Sequence, residues 1–449
     1  MITRATTRPR SPGRARRRGL ALLLAVGLVF AACGGDGDST TTAAPGGDTT
    51  AAPGEEMTLT VWASREYYVP PDQFASFTAE HPNVTVEFQI QSNDDMLQQL
   101  LRMRDAGQQL PDVLGAEDAF LIEAFVDAGL IESHDEIAAD WQAEDPEQYD
   151  LLLPLAWDET SLDGVKYGLS VTANFDVLYY NSPWFEEAGL TPPFETLDDV
   201  LEAMRALKAA RPDGIPLTVQ AQAGEGVTTL KTMLSAAGAP FEGAVPDLTS
   251  DAGVYVLDWF IQASNEGLLP EEAIAWGEDL SRAAFVSGDA GLILDGFTTA
   301  GDFNEAPDFD YPDQWNITQV PTATGTGSEG EAISSARTWA VLAGSEHPDE
   351  AALILRYISE TENLVAAVFE GSVPMRQTEA INDPSLAEYW PFFTEELKQV
   401  YLDSAPVPAG PNAGSVEEIL EQLFGEIVVG TDMTGAELAA KYQPQLDEA

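Results

Sequence analysis

Polar and aromatic side chains gather just beyond short apolar runs in this sequence. One run ends in Trp62, and Ser64 and Arg65 follow at once. An indole face suits the C–H groups of a sugar ring, or packs under a neighbouring helix. A serine hydroxyl and the fixed donor fork of a guanidinium suit hydroxyl partners, or a solvated turn. Glu117 and Asp118 follow a second run. A carboxylate there accepts hydrogen bonds from a polyol, though Asp118 equally suits a helix N-cap. Asp295 and Phe297 follow a third run, and Ser335, Arg337 and Trp339 lie in the segment SSARTWAV. Gln220 and Gln222 follow another short strand, and Arg376 is either a rim contact or a surface charge. These residue types bind by hydrogen bonding and stacking and need no cofactor.

Reactive arrangements are missing. Serines and threonines are present, but no nucleophile elbow frames one. No glycine-rich phosphate loop ends in Lys-Ser or Lys-Thr. The three histidines, His81, His134 and His347, are far apart and in no metal-ligand spacing, so no metal site is expected. The 75 acidic residues make chance carboxylate pairs inevitable, so spacing gives no glycosidase dyad.

The lone cysteine, Cys33, cannot form an internal disulfide. Arg4, Arg8, Arg10, Arg14, Arg16, Arg17 and Arg18 precede an apolar run over 19–32, too short for a membrane span but laid out as an export signal. The residues after Cys33 are rich in Gly, Thr, Ala, Pro and Asp and cannot offset their ordering entropy by burial. A signal over 1–32 and a flexible tether over 33–56 are expected. The segment VFAAC resembles the bacterial lipobox. That resemblance implies a lipidated Cys33 that holds the chain to the outer membrane face, where buried CH₂ groups contribute about 0.8 kcal/mol each.

Charge bounds the partners. The chain has 21 basic and 75 acidic residues, a formal net charge of −54. Nucleic acid is excluded because phosphate backbones need basic surface. Anionic lipid would repel the folded part, so the tether must anchor it. The acids are spread along the chain and read first as a solvated surface. The length after the signal suits two domains.

Positioning elements follow from periodicity. Strands are expected over 57–62 and 84–90, helices over 71–80 and near 93–107, a short strand over 111–115, and then a helix ending at Gly129. Strand and helix alternate, which predicts an α/β fold with a parallel sheet. The alternation recurs with a strand over 175–180, a capping-box start at Thr196 to Asp199, a strand over 216–219, a helix over 250–265, and strands over 290–294 and 317–320. Helices then dominate: 349–359, 362–369, 386–402, 416–429 and 435–442. Trp157, Tyr180 and Trp184 are assigned to packing.

Several segments together resemble the extracellular solute-binding lipoproteins of ABC importers, in the branch that includes maltose-binding protein. They are TLTVWAS with FASFTAEHPNVTVEF, MRDAGQQLPDVLGAE, KYGLSVTANFDVLYYNSPWFEEAGLTPPFETLDDVLEAMRALK, FVSGDAGLILDG, PDEAALILRYISETEN and IVVGTDMTGAELAAKY. They occur in the family's order from about Met57 onward.

The resemblance implies two Rossmann-like lobes of the type II periplasmic-binding-protein fold, joined by hinge crossings, with C-terminal helices. It places the crossings near Asn174-Phe175 and Gln319-Val320-Pro321. One lobe is then 57–173 with 322–369, the other 174–321 with 370–449. Ligand would lie between them, outside the carboxyl ends of the strands. Asn174 would contact ligand at a hinge, where the maltose-binding branch has an acid. Phe297 would stack on the ligand, and Arg337 would turn toward the cleft. The implied function is capture of a sugar or oligosaccharide for import by membrane permease subunits, as a monomer. A binder of polyamine or glycerol phosphate, and a secreted glycoside-processing enzyme, stand as alternatives.

Overall fold

The computed structural model describes residues 56–64, 74–91, 93–224, 226–369, 374–410 and 412–449, all within the contact unit Pro53–Ala449. Cys33, the signal, nearly all of the tether and Arg65 lie outside the described residues.

Among the described residues nine strands form the main sheet: β1 (Met57–Ala63), β2 (Val84–Ile90), β3 (Val113–Asp118), β4 (Leu169–Asn181), β5 (Ile215–Thr218), β6 (Ala290–Gly296), β7 (Trp315–Gln319), β8 (Ile333–Val341) and β9 (Ala405–Pro406). The order is β2-β1-β3-β8-β4-β6-β5, with β7 also on β4 and β9 on β8. β1 runs parallel to β2 and β3, and β6 parallel to β5. Between these groups, β8 is antiparallel to β3 and β4, and β4 is antiparallel to β6 and β7, while β9 runs parallel to β8. The expected all-parallel sheet is therefore corrected at its centre.

β4 joins the two groups. Its first part pairs with β8, from Leu169↔Trp339 to Phe175↔Ser334. Its second part pairs with β6 from Asp176↔Gly296 and with β7 from Val177↔Gln319. The strand changes partners between Phe175 and Asp176. It is six residues longer at its start than periodicity predicts, because Leu169 to Ala173 are all buried and show no alternation.

Packing explains the helix positions. Leu59, Val61 and Ala63 share one face of β1 and meet Phe74 and Phe77 of the helix Phe74–Glu80. Trp62 points to the other face and joins Met96, Leu100 and Leu114. The helix Leu197–Ala210 starts at the expected capping box, with Thr196 and Asp199 satisfying each other's backbone N–H. The helices Ala413–Val428 and Gly435–Asp447 bury Leu420, Phe424, Leu438 and Leu446 in the core formed by the helices Val227–Ala236 and Asp251–Asn265.

One expected long helix is broken. Residues 386–402 form Leu386–Tyr389 and Glu395–Asp403, separated at Trp390 and Pro391. The break lets Trp390, Phe392 and Phe393 pack around Phe297.

Candidate ligand-binding cleft

A cavity of about 650 Å³ opens where β4 changes partners. Asn174, Phe175 and Asp176 form its floor, and Ser335 and Arg337 of β8 line one side. Gln220 after β5, Asp295 at the end of β6, and Arg282 of the helix Glu278–Val286 line another. A smaller chamber of about 270 Å³, lined by Ala119, Asp158, Glu159 and Ser334, shares Ser335 and Val407 with the first. Strand ends converge here, which is where open α/β sheets bind ligands.

The polar groups are held before any ligand arrives. Arg282 donates to Asp295 twice, Nε to Oδ2 at 2.7 Å and Nη2 to Oδ1 at 3.0 Å. Its Nη1 lies 2.9 Å from Glu278 and 3.8 Å from Asp302. The bidentate geometry fixes both planes. Asn174 Oδ1 accepts from the Thr298 backbone N–H at 3.3 Å, which aims its amide along the floor. Arg337 pairs with Asp118 across the β3–β8 ladder.

Asp176 is different in kind. Its carboxylate accepts from the Thr232 hydroxyl, and no arginine or lysine among the described residues pairs with it. Burial, assisted by the charges of Asp295 and Glu278, pushes its carboxyl up to about 7, against the pull of the Thr232 bond.

Of the sequence candidates, Asn174, Asp295, Ser335 and Arg337 line the larger chamber. Asp118 reaches it through Arg337: it ends β3 and stands, as expected, at the N-cap of the short 3-10 helix Ala119–Leu121, but its side chain makes no cap hydrogen bond there and pairs with Arg337. Glu117 pairs with Thr338 through its backbone, and its side chain lies outside the described residues. Ser64 lies outside both chambers, its backbone N–H donating to Gly115 at 3.2 Å.

Two aromatic assignments are corrected. Phe297 is 0% exposed and stacks on Phe175 at 5.3 Å and 15°, so its ring belongs to the core. Trp62 is 6% exposed and packs in its own core cluster. Besides the buried Phe175, Phe369 and Tyr389 are the aromatic residues among the described ones that line the cleft; they are in edge contact at 4.9 Å and are 42% and 38% exposed. Arg376 is neither rim nor surface: it is 0% exposed and bonds Glu159 and Ser334, each at 2.6 Å.

Sequence reasoning missed Asp176, Arg282, Phe369 and Tyr389. For Asp176 a signal existed, because period two puts residue 176 on the same strand face as Asn174. No local pattern marks Arg282, which meets Asp295 only through the fold.

The sequence profile of the bacterial extracellular solute-binding protein family matches residues 62–364. The chain belongs to that family. Among relatives, the mannitol-binding protein of Pseudomonas aeruginosa is 26% identical over 235 residues, 51% of each chain. An ABC transporter extracellular-binding protein of Pyrococcus horikoshii is 29% identical over 195 residues, 42% of this chain and 43% of the other. The alignments thus span about half, or less, of those relatives' lengths. In fold, the chain is similar to the sugar-binding protein MalE from Xanthomonas citri, with a TM-score of 0.73 and 18% identity over 87% of this chain and 98% of that one. It is also similar to a solute-binding protein from Agrobacterium radiobacter K84 in complex with ribitol, with a TM-score of 0.69 and 16% identity over 88% and 100%.

Proposed function

We propose that this protein captures a hydroxyl-rich solute, a sugar, oligosaccharide or polyol, in the cleft and delivers it to the permease of an ABC importer. One observation carries the reading: preset donors and acceptors, Asn174, Asp295 with Arg282, and Arg337, face a cavity whose rim carries the Phe369 and Tyr389 rings. Vicinal hydroxyls pair with fixed carboxylate and guanidinium edges, and a ring's C–H face stacks on an aromatic. The arginines favour no phosphate, since carboxylates already hold both. The mannitol-binding relative and the MalE likeness support the same class of solute.

In this reading the jaws are 57–173 with 322–369 and 174–321 with 370–449, and β4 is one pivot between them. Ligand that touches both jaws stabilises the closed form, and a permease distinguishes closed from open. The chain works outside the cell as a monomer, with residues 1–32 removed, Cys33 lipidated and 33–56 as tether. Binding is non-covalent, without turnover.

The test is calorimetry and thermal shift on the full chain in detergent against a carbohydrate and polyol panel, with product analysis afterwards. Saturable binding that raises the melting temperature and returns the solute unchanged is expected. A solute consumed on incubation would reverse the assignment to a binder.

A further inference from the structure

The charges in the cleft do not balance. Asp176, Glu278, Asp295, Asp302 and Glu305 line it, against Arg282 and Arg337. Arg282 is shared by Glu278, Asp295 and Asp302, and Arg337 is held by Asp118. Lys231, next to Thr232 on the helix above Asp176, lies 2.6 Å from Glu417. Each of these cations therefore already has an acidic partner.

Among the described residues neither Asp176 nor Glu305 has an arginine or lysine partner; Glu305 is exposed to solvent, so Asp176 is the buried acid left without a counter-charge. From its own strand it has Asn174 beside it; from β6 it faces Asp295, from the helix Glu278–Val286 it faces Glu278, and from the helix Val227–Ala236 it meets Thr232. Its side chain lines the cavity floor and keeps access to it. An ionised carboxylate walled by protein and flanked by two more acids is costly without a counter-charge. A neutral polyol cannot supply one; an ammonium group can, and it brings three donors to a site rich in acceptors.

We propose that the solute carries an ammonium group that docks on Asp176, so that the cleft takes an amino polyol or amino sugar in preference to its neutral counterpart. This rests on the hydroxyl-rich reading above and narrows it. The remaining hydroxyls meet Asn174, Asp295 and the arginines, and the ring or chain lies against Phe369 and Tyr389. The carboxylate form of Asp176 is the binding form, so affinity for the cation rises with pH until that form is full. Neutral solutes gain nothing from this change.

Matched pairs test it by calorimetry on the full chain: glucamine against sorbitol, and glucosamine against N-acetylglucosamine, with spermidine as a cation without hydroxyls. The amine of each pair should bind at least tenfold tighter at pH 7. Glucamine affinity should climb by up to about tenfold per pH unit from pH 5.5 and level off above neutrality. Asp176→Asn should erase both the preference and the climb, and a melting curve at pH 5.5 shows whether that variant is folded. The wild-type pH series stands without any variant. Equal affinity within each pair would overturn the ammonium assignment and leave the polyol reading intact. Spermidine bound with both polyol pairs silent would overturn the polyol reading itself, and silence from every probe would overturn both.

Discussion

Asp118 and Arg337 stand opposite each other in the β3–β8 ladder and form an ion pair at the edge of the cleft, with 11% and 14% of their side chains exposed. The two sit far apart in the chain, and each was legible as a candidate alone. Together they close one side of the site with balanced charge. Arg337 is thereby held in place as a donor, with its orientation set by a strand register rather than by a loop.

Arg337→Ala should strand Asp118 without its cation. Breaking a largely buried pair from one side costs about 2 kcal/mol or more, because the remaining charge is poorly solvated. Urea denaturation should show that loss. The double variant with Asp118→Ala should recover part of it, and strict additivity would deny the coupling.

The corrected aromatics separate stability from binding. Phe297→Ala empties a fully buried site and should cost about 3–5 kcal/mol. Phe369→Ala, at a residue 42% exposed, should cost under about 1 kcal/mol of stability. It should instead weaken ligand several-fold, the loss of roughly 1 kcal/mol of stacking. Denaturation and calorimetry on both variants distinguish the roles; the reverse pattern would restore Phe297 to the ligand.

Asp176 should also shape stability. Its folded carboxyl titrates at about 7, raised chiefly by burial, so the folded state holds this proton where the unfolded chain has released it. Its contribution therefore falls as pH rises from about 4 through 7 and stays low above that. Asp176→Asn removes the cost. The variant should match wild type near pH 4 and gain on the order of 4 kcal/mol at pH 8. Melting curves at the two pH values check the sign.

Gly296 lies where β6 passes the cleft floor. A methyl group there would collide with the Asn174 amide. Gly296→Ala should turn Asn174 away from its Thr298 contact and weaken ligand by about tenfold, equivalent to about 1.4 kcal/mol. Calorimetry on the variant reads this directly, and unchanged affinity would remove Asn174 from the site.

Local signals were legible wherever the partners are near in sequence. The Thr196–Asp199 box, the amphipathic helix read over 250–265 and the alternation of β2 depend on residues within a few turns or one strand. They failed where burial is two-sided. β8 carries Ser335 and Arg337 in the middle of the sheet, yet its run of buried residues shows no clean period and was not read as a strand. The opening of β4 was hidden for the same reason.

The sequence alone determined the class of fold and most of the order of its elements, because these follow from periodicity and caps that act locally, and its segments carried the resemblance to the family. The tertiary structure alone decided which aromatic meets solvent and which acid of the cleft is buried without a cation. Phe297 and Phe369 are the same side chain chemically; one is enclosed by Phe175, Trp390 and Phe393 and the other faces the cleft. Strand pairing between distant segments sets that difference, since the register of β4 against β8 and β6 fixes what each residue faces.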